Sequence, residues 1–293
     1  MWETQHLKLI FESCIHLSVF SFDALRTLRF AFRQKLAWRR GTPRLIHEQK
    51  LHLFSYLDAK ESRELEETEM SLRERYRLDA FAQASSVNDY RDNLYLLAAL
   101  RELEGFLELP EKKISSLDVG SKNWNYVYGL KQFLKYVSHG QERQVDLCGV
   151  EIDGYGIYSD LYSRCDHAQA YVGQANGDGD RAEYRVDNFV TSHYGKMDIV
   201  TLFYPFILEE ALRSWGLPRR YFEPRNLLAK ALSLLDVRGA LIVTNQTGLE
   251  AERLNSHLEA LNALVVVQVP MRFKSVHYWE QTHERVISLI RKS

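Results

Sequence analysis

The chain has 293 residues, 45% of them hydrophobic and 26% charged, which is enough for one large globular domain or two ordinary ones. A formal net charge of -1 excludes whole-molecule attraction to nucleic acid and leaves only a local patch for such binding. Three cysteines (Cys14, Cys148 and Cys165) are too few and too scattered for a disulfide framework or a zinc site, so no metal is expected and a reduced, cytoplasmic setting fits best.

The first apolar stretch, "LKLIFESCIHLSVFSF", is interrupted by Lys8, Glu12 and His16 and followed by Asp23. It has no small-residue cleavage site, and it is shorter than the roughly 20 clean apolar residues of a spanning helix. Next, "FDALRTLRFAFRQKLAWRR" sets Arg26, Arg29, Arg33, Lys35, Arg39 and Arg40 among Leu, Phe and Trp. Two readings stand: a basic amphipathic helix lying on a membrane or on RNA phosphates, or a solvated helix face against a core. The second is the commoner arrangement. "DAKESRELEETEMSLRERYRL" follows as a mixed-charge helix with Glu and Arg four apart, which carries no chemistry.

"DNLYLLAALRELEGFLELP" repeats apolar residues at three and four, with Gly105 and Pro110 as stop signals and Ser86, Asn88 or Asp89 as candidate caps. Residues 1–110 therefore read as a helical region that would cap a crevice, bind substrate or mediate homodimerisation.

After Pro110 short apolar runs alternate with helical stretches, the pattern of βαβ units around a parallel sheet. Strands are expected near Ile114–Val119, Val145–Glu151, Ala182–Phe189, Asp198–Phe203, Ala240–Thr244, Leu264–Val269 and Arg285–Ile290. Helices are expected at Asn125–Val137, Ser159–Ala170, Ile207–Ser214 and Pro224–Leu235. "NGDGD" (Asn176 to Asp180) spaces oxygens like the start of a calcium loop, but Arg181 replaces the glycine such a loop needs, so a hydrophilic turn is expected.

The motifs "ISSLDVGSKNWNY", "VDLCGVEIDGYG", "AEYRVDNFV" and "MDIVTLFYPFI", with seven strands and a final pair joined without a clear helix, resemble the class I S-adenosylmethionine-dependent methyltransferases. The likeness covers about residues 111–293. It implies an α/β fold: a seven-stranded, mostly parallel, doubly wound sheet whose last strand runs antiparallel at the end of the sheet. S-adenosylmethionine is the implied cofactor.

By the same resemblance, Asp118, Gly120, Ser121 and Asn123 contact the cofactor at the turn after strand one. Gly120 lets the chain turn with no Cβ in the way, and the next helix offers free N–H groups to a carboxylate. The family's later glycine positions hold Lys122 and Trp124, which fill room usually left open. Asn123, tolerant of left-handed backbone, is the candidate to replace one glycine. Glu151, with Asp153 behind it, stands where a carboxylate accepts hydrogen bonds from a ribose diol. Ile152 would flank the adenine, and Asp187 and Asn188 would meet its amino edge.

Tyr204 follows strand four and would face the methyl group, and His277, in the loop after strand six, is a candidate base. The segment around Tyr204 lacks the leading amide and second proline of the amino-methylating families, so their activity is not carried over. The methyl acceptor is not identified, though aromatics near the crevice suit a small apolar or aromatic one. The alternative is a binding or scaffold protein that keeps the fold and has lost cofactor binding, a reading the missing glycines favour.

Overall fold

The computed structural model describes residues 22–51, 53–137, 142–272 and 284–293. Helix α1 (residues 22–36) is followed by a stretch without regular structure to residue 50. Three helices come next: α2 (Ala59–Arg75), α3 (Asp79–Gln83) and α4 (Val87–Arg101). Side chains start two of them. Asp58 accepts from the N–H groups of Lys60 and Glu61, and Ser86, among the three candidate caps, accepts from Asp89 N.

The sheet strands are β1 (Lys113–Val119), β2 (Gln144–Glu151), β3 (Arg181–Val186), β4 (Met197–Phe203), β5 (Leu235–Asn245), β6 (Ala263–Pro270) and β7 (Val286–Lys292). Between them run α5 (Val127–Tyr136), α6 (Arg164–Ala175), α7 (Glu209–Ser214), α8 (Pro224–Leu234) and α9 (Gly248–Glu259). The order across the sheet is β3-β2-β1-β4-β5-β7-β6. Neighbours from β3 to β5 are parallel, and β7 is antiparallel to both β5 and β6.

The last strand is antiparallel, as expected, but it lies inside the sheet between β5 and β6 instead of at the end where the sequence reading put it. Burial explains why. In β7, residues Ile287 to Ile290 are all buried, as a strand covered on both faces requires, whereas β6 is only half-buried and forms the edge.

Alternating side chains send each strand into two cores. On one face Ile114, Leu147, Ile199 and Ile242 join Leu130 and Phe133 of α5, and the same core continues through Leu94, Leu97 and Leu100 of α4. On the other face Leu117, Val150, Val200 and Val243 meet Leu228 of α8 and Leu254 of α9. α2, α3 and α4 therefore share the core of the sheet's first face, whereas α1 does not.

Among the boundaries that move, two bear on the site. β3 stops at Val186, so Asp187 and Asn188 lie beyond the strand. The helix expected from Ser159 starts at Arg164, because Ser163 and Asp166 form a reciprocal capping box and Leu161 before it is left-handed at φ 66°. The "NGDGD" segment is a turn: Asp180 accepts from Val145 N and from Lys135 Nζ.

Candidate active site

The turn after β1 stands where the strand order reverses, with β2 on one side of β1 and β4 on the other, and this is where ligands bind open α/β sheets. Gly120 takes φ 78° and donates its N–H to Val150 O at 2.8 Å. The sequence pointed to Asn123 as the left-handed stand-in for a missing glycine, but the left-handed residues are Lys122 (φ 55°) and Trp124 (φ 54°) themselves. The loop keeps the backbone shape of a glycine loop without the glycines.

Trp124 does so without filling the crevice. Its indole is fully buried and lies over Gly149 of β2, where a Cβ would sit 2.8 Å from the ring. Tyr184 packs on it with ring centroids 6.2 Å apart. The absence of a side chain at Gly149 is what makes room for the tryptophan below the loop.

Two buried carboxylates flank the turn. Asp118 is fully buried and accepts from Tyr126 Oη at 2.8 Å and Thr201 Oγ1 at 2.5 Å. Burial pushes its carboxyl up to about 6. Glu151, at the end of β2, accepts from Lys122 N and Asp153 N, both at 2.9 Å, so one carboxylate ties the turn to the chain beyond β2. Burial raises its pKa as well.

The turn and Glu151 border a cavity of about 570 Å³, within the usual range for small-molecule sites. Its lining includes Gly120, Lys122, Asn123, Glu151, Ile152, Asp187 and Asn188, and also Tyr95, Phe203, Tyr204, Phe206, Met271 and Arg285. Asp118 and Ser121 do not reach the wall. Asp118 is bonded below the loop, and Ser121 is fully buried. Asp187 and Asn188 form a self-bonded turn, with Asp187 Oδ1 accepting from Asn188 N at 2.8 Å and Ser192 Oγ at 2.6 Å.

Tyr204 is left-handed at φ 56°, a strained conformation for an aromatic residue, and its N–H bonds to Thr244 Oγ1 at 3.0 Å. Its hydroxyl lies 2.9 Å from Tyr95 Oη, and the Arg285 guanidinium donates to both phenols at 3.2 and 3.1 Å. Tyr95 and Arg285 were not foreseen as site residues: Tyr95 sits in an apolar helical run, and Arg285 reads as the start of a strand. His277 lies outside the described residues.

The strand order, the left-handed turn after β1 and the carboxylate closing β2 decide the architecture. The chain has the class I methyltransferase fold. No protein-family model matches the sequence, and no curated protein matches it.

Solved structures do resemble it. One is a SAM-dependent methyltransferase from Aquifex aeolicus, 13% identical, with 68% of this chain and 92% of that one covered at a TM-score of 0.45. Another is magnesium protoporphyrin IX methyltransferase from Synechocystis PCC 6803 with bound SAH, 12% identical, with 71% and 84% covered at 0.44. A third is the [4+2]-cyclase SpnF, 13% identical, with 67% and 80% covered at 0.45. Likeness at this level concerns the fold alone.

Residues 22–41 form a strap over the chain that follows β2 and β4. Phe30 of α1 packs with Leu212 and Leu217, and Ile152, Phe206 and Trp215 close round them. Gln34 donates to Ile152 O at 2.9 Å, and Trp38 Nε1 to Leu161 O at 3.0 Å. Arg33 pairs with Asp153 at 2.9 Å and Arg39 with Asp166 at 2.8 Å. Part of the basic segment thus answers carboxylates in the chain after β2. Burial opposes ionisation of Asp166, but the N–H of Arg40, the Arg39 guanidinium and Ser163 outweigh it and hold the carboxyl down at about 2. Trp215, on the cavity wall, lies under two cations: Arg164 at 4.6 Å and Lys122 Nζ at 5.6 Å from the ring centroid.

Proposed function

We propose that this protein is an S-adenosylmethionine-dependent methyltransferase acting on a small apolar or aromatic acceptor. The observation that carries the reading is the turn 120–124. Two non-glycine residues are held left-handed there, at a cost of roughly 1 kcal/mol or more each, which keeps the glycine-loop shape beside the Glu151 carboxylate. A chain that had merely shed its ligand has no reason to keep that strain.

The residues present fit the cofactor. Each Glu151 oxygen accepts one backbone N–H and keeps a further lone pair, the capacity a ribose diol needs. Nothing lies within 4 Å of where a Cβ would stand on Gly120, so the backbone is open to close approach. Gly120, Lys122 and Asn123 would hold the amino-acid end, Ile152 the adenine face, and Asp187 and Asn188 its edge.

When bound, S-adenosylmethionine supplies an electrophilic methyl group. The chain's own part is to align the acceptor and exclude water. Tyr95, Phe203, Tyr204, Phe206 and Met271 give the cavity apolar, aromatic surface, and the Tyr95–Tyr204–Arg285 cluster gives it a polar one. Tyr204 is the candidate to meet the acceptor's reacting atom.

A second reading has one observation in its favour: Asp187 already satisfies its carboxylate within its own turn, as a site with no adenine to read would. In that reading the chain binds without transferring. Thermal unfolding with S-adenosylmethionine and with its demethylated product tests the first. Ligand at 100 times Kd adds about 2.7 kcal/mol, at roughly 2–4 °C per kcal/mol. No shift at millimolar ligand refutes cofactor binding, and binding without turnover on a panel of aromatic acceptors favours the second reading. Glu151→Ala is expected to weaken binding at least about tenfold, by loss of charge-assisted hydrogen bonds. An unchanged Kd would show that another group holds the ribose.

A further inference from the structure

α1 has two faces, and only one of them belongs to the strap. Phe30 is buried against the chain after β4, and Asp23 accepts from Arg219 N at 2.9 Å. The opposite face is a stripe of Leu25, Leu28, Phe32 and Leu36, spaced three, four and four apart and led by Phe22. These five side chains are 45–69% exposed, Leu25 the least and Leu28 the most. A contiguous run of large apolar side chains turned to solvent marks an interaction surface.

The stripe continues beyond the helix. Trp38 is 41% exposed, and its indole N–H holds the carbonyl of Leu161, which is 60% exposed. Leu161 is left-handed at φ 66°, so this turn spends backbone strain in presenting a leucine to solvent. Cations complete the pattern. Arg26, Arg29 and Lys35 make no ion pair among the described residues, in contrast to Arg33 and Arg39, which are committed to the strap. Asp23, the one acid of α1, faces the protein.

We propose that this face of α1, together with Trp38 and Leu161, docks the protein onto an anionic lipid surface. Apolar side chains on one side of a helix, flanked by unpaired cations and joined by an indole at the boundary, are what lies in a bilayer interface. A second copy of the chain would set the same cations against each other along the stripe, which disfavours that occupant. No helix among the described residues is long and apolar enough to cross a membrane. The strap that carries the stripe also packs on Ile152 at the cavity wall. A membrane-seated α1 therefore sets the cavity close to the lipid.

Co-sedimentation of the full chain with phosphatidylcholine vesicles, and with vesicles containing phosphatidylglycerol, tests the proposal without reference to methyl transfer. Pelleting is expected with the anionic vesicles, weakened by salt as charge is screened. The double substitution Leu28→Asp and Phe32→Asp alters exposed residues only, so the fold is retained; it is expected to weaken pelleting at least about tenfold. Leu161→Asp is expected to weaken it independently. Failure to pellet with either vesicle overturns the proposal, as does pelleting unchanged by the double substitution. A dimer without lipid that the same substitutions dissolve would assign the face to a second copy and also overturn it.

Discussion

Gly149→Ala puts the site's main structural compensation to the test. Gly149 lies in β2, paired to Asp118 of β1, and the Trp124 indole fills the space over it. An alanine Cβ would stand 2.8 Å from three ring carbons of a rigid, fully buried side chain. The ring has little freedom to retreat, because Tyr184 and the core of the sheet's first face surround it. Overpacking of this kind costs about 1–3 kcal/mol, or a fall in Tm of roughly 2–12 °C. The strain is shared with the loop, so affinity for S-adenosylmethionine is expected to fall with it.

Trp124→Leu gives the control. The smaller side chain alone costs about 2–4 kcal/mol through the lost ring, but it leaves room for a Cβ at position 149. In that background Gly149→Ala is expected to cost little or nothing. Denaturant unfolding of the four proteins gives the coupling directly, and it is expected at about 1 kcal/mol or more. Costs that add to within about 0.5 kcal/mol would refute the view that Gly149 exists to admit Trp124.

Three further outcomes are expected. Asp118 carries a folded pKa raised to about 6, above its unfolded value, so the folded state binds the proton more tightly and its contribution falls as pH rises from about 4 to 6. The stability of the protein relative to Asp118→Asn should drop by on the order of 2–3 kcal/mol across that window in urea titrations, and a difference that grows with pH would contradict the assignment. Asp166 is the reverse case: held at about 2, its contribution is present above pH 4, near its unfolded value, and is lost as pH falls toward 2. Asp166→Ala removes the return half of the capping box that starts α6 and the anchor of the strap, so a loss of about 1–2 kcal/mol is expected. Amide exchange across residues 22–41 should quicken at the same time, and unchanged exchange there would detach the strap from Asp166. Tyr204→Phe keeps the ring and removes the hydroxyl shared with Tyr95 and Arg285, so turnover should fall with the cofactor Kd unchanged; a changed Kd alone would move Tyr204 to the cofactor end.

By itself the sequence determined the sheet. Strand-length apolar runs, their alternation with helical periods and the caps are local signals, and the hydrophobic pattern makes one arrangement of them favourable. Gly120, Asn123, Glu151, Ile152, Asp187, Asn188 and Tyr204, which the family resemblance placed at the site, line the cavity, because strand ends and the turns after them converge at the switch point. The sequence could not show where side chains point. Lys122 and Trp124 looked like obstructions, and the glycine that resolves the Trp124 problem lies 25 residues away in β2. An isolated glycine in a buried strand hints at close approach but does not say by what.

Asp118 and Ser121, placed with the cofactor by position alone, proved to be buried under the turn. Tyr95, Arg285 and Trp215 come to the cavity from a helix, a strand start and a loop far apart in the chain, and no spacing links them. The basic segment was equally open: the cations of α1 and the residues just after it look alike in sequence. Only tertiary packing divides Arg33 and Arg39, which meet carboxylates across the chain, from Arg26, Arg29 and Lys35, which stay beside the apolar stripe. Local pattern specifies elements and their buried faces, whereas a site is made of contacts between elements, which exist only once the chain has closed on itself.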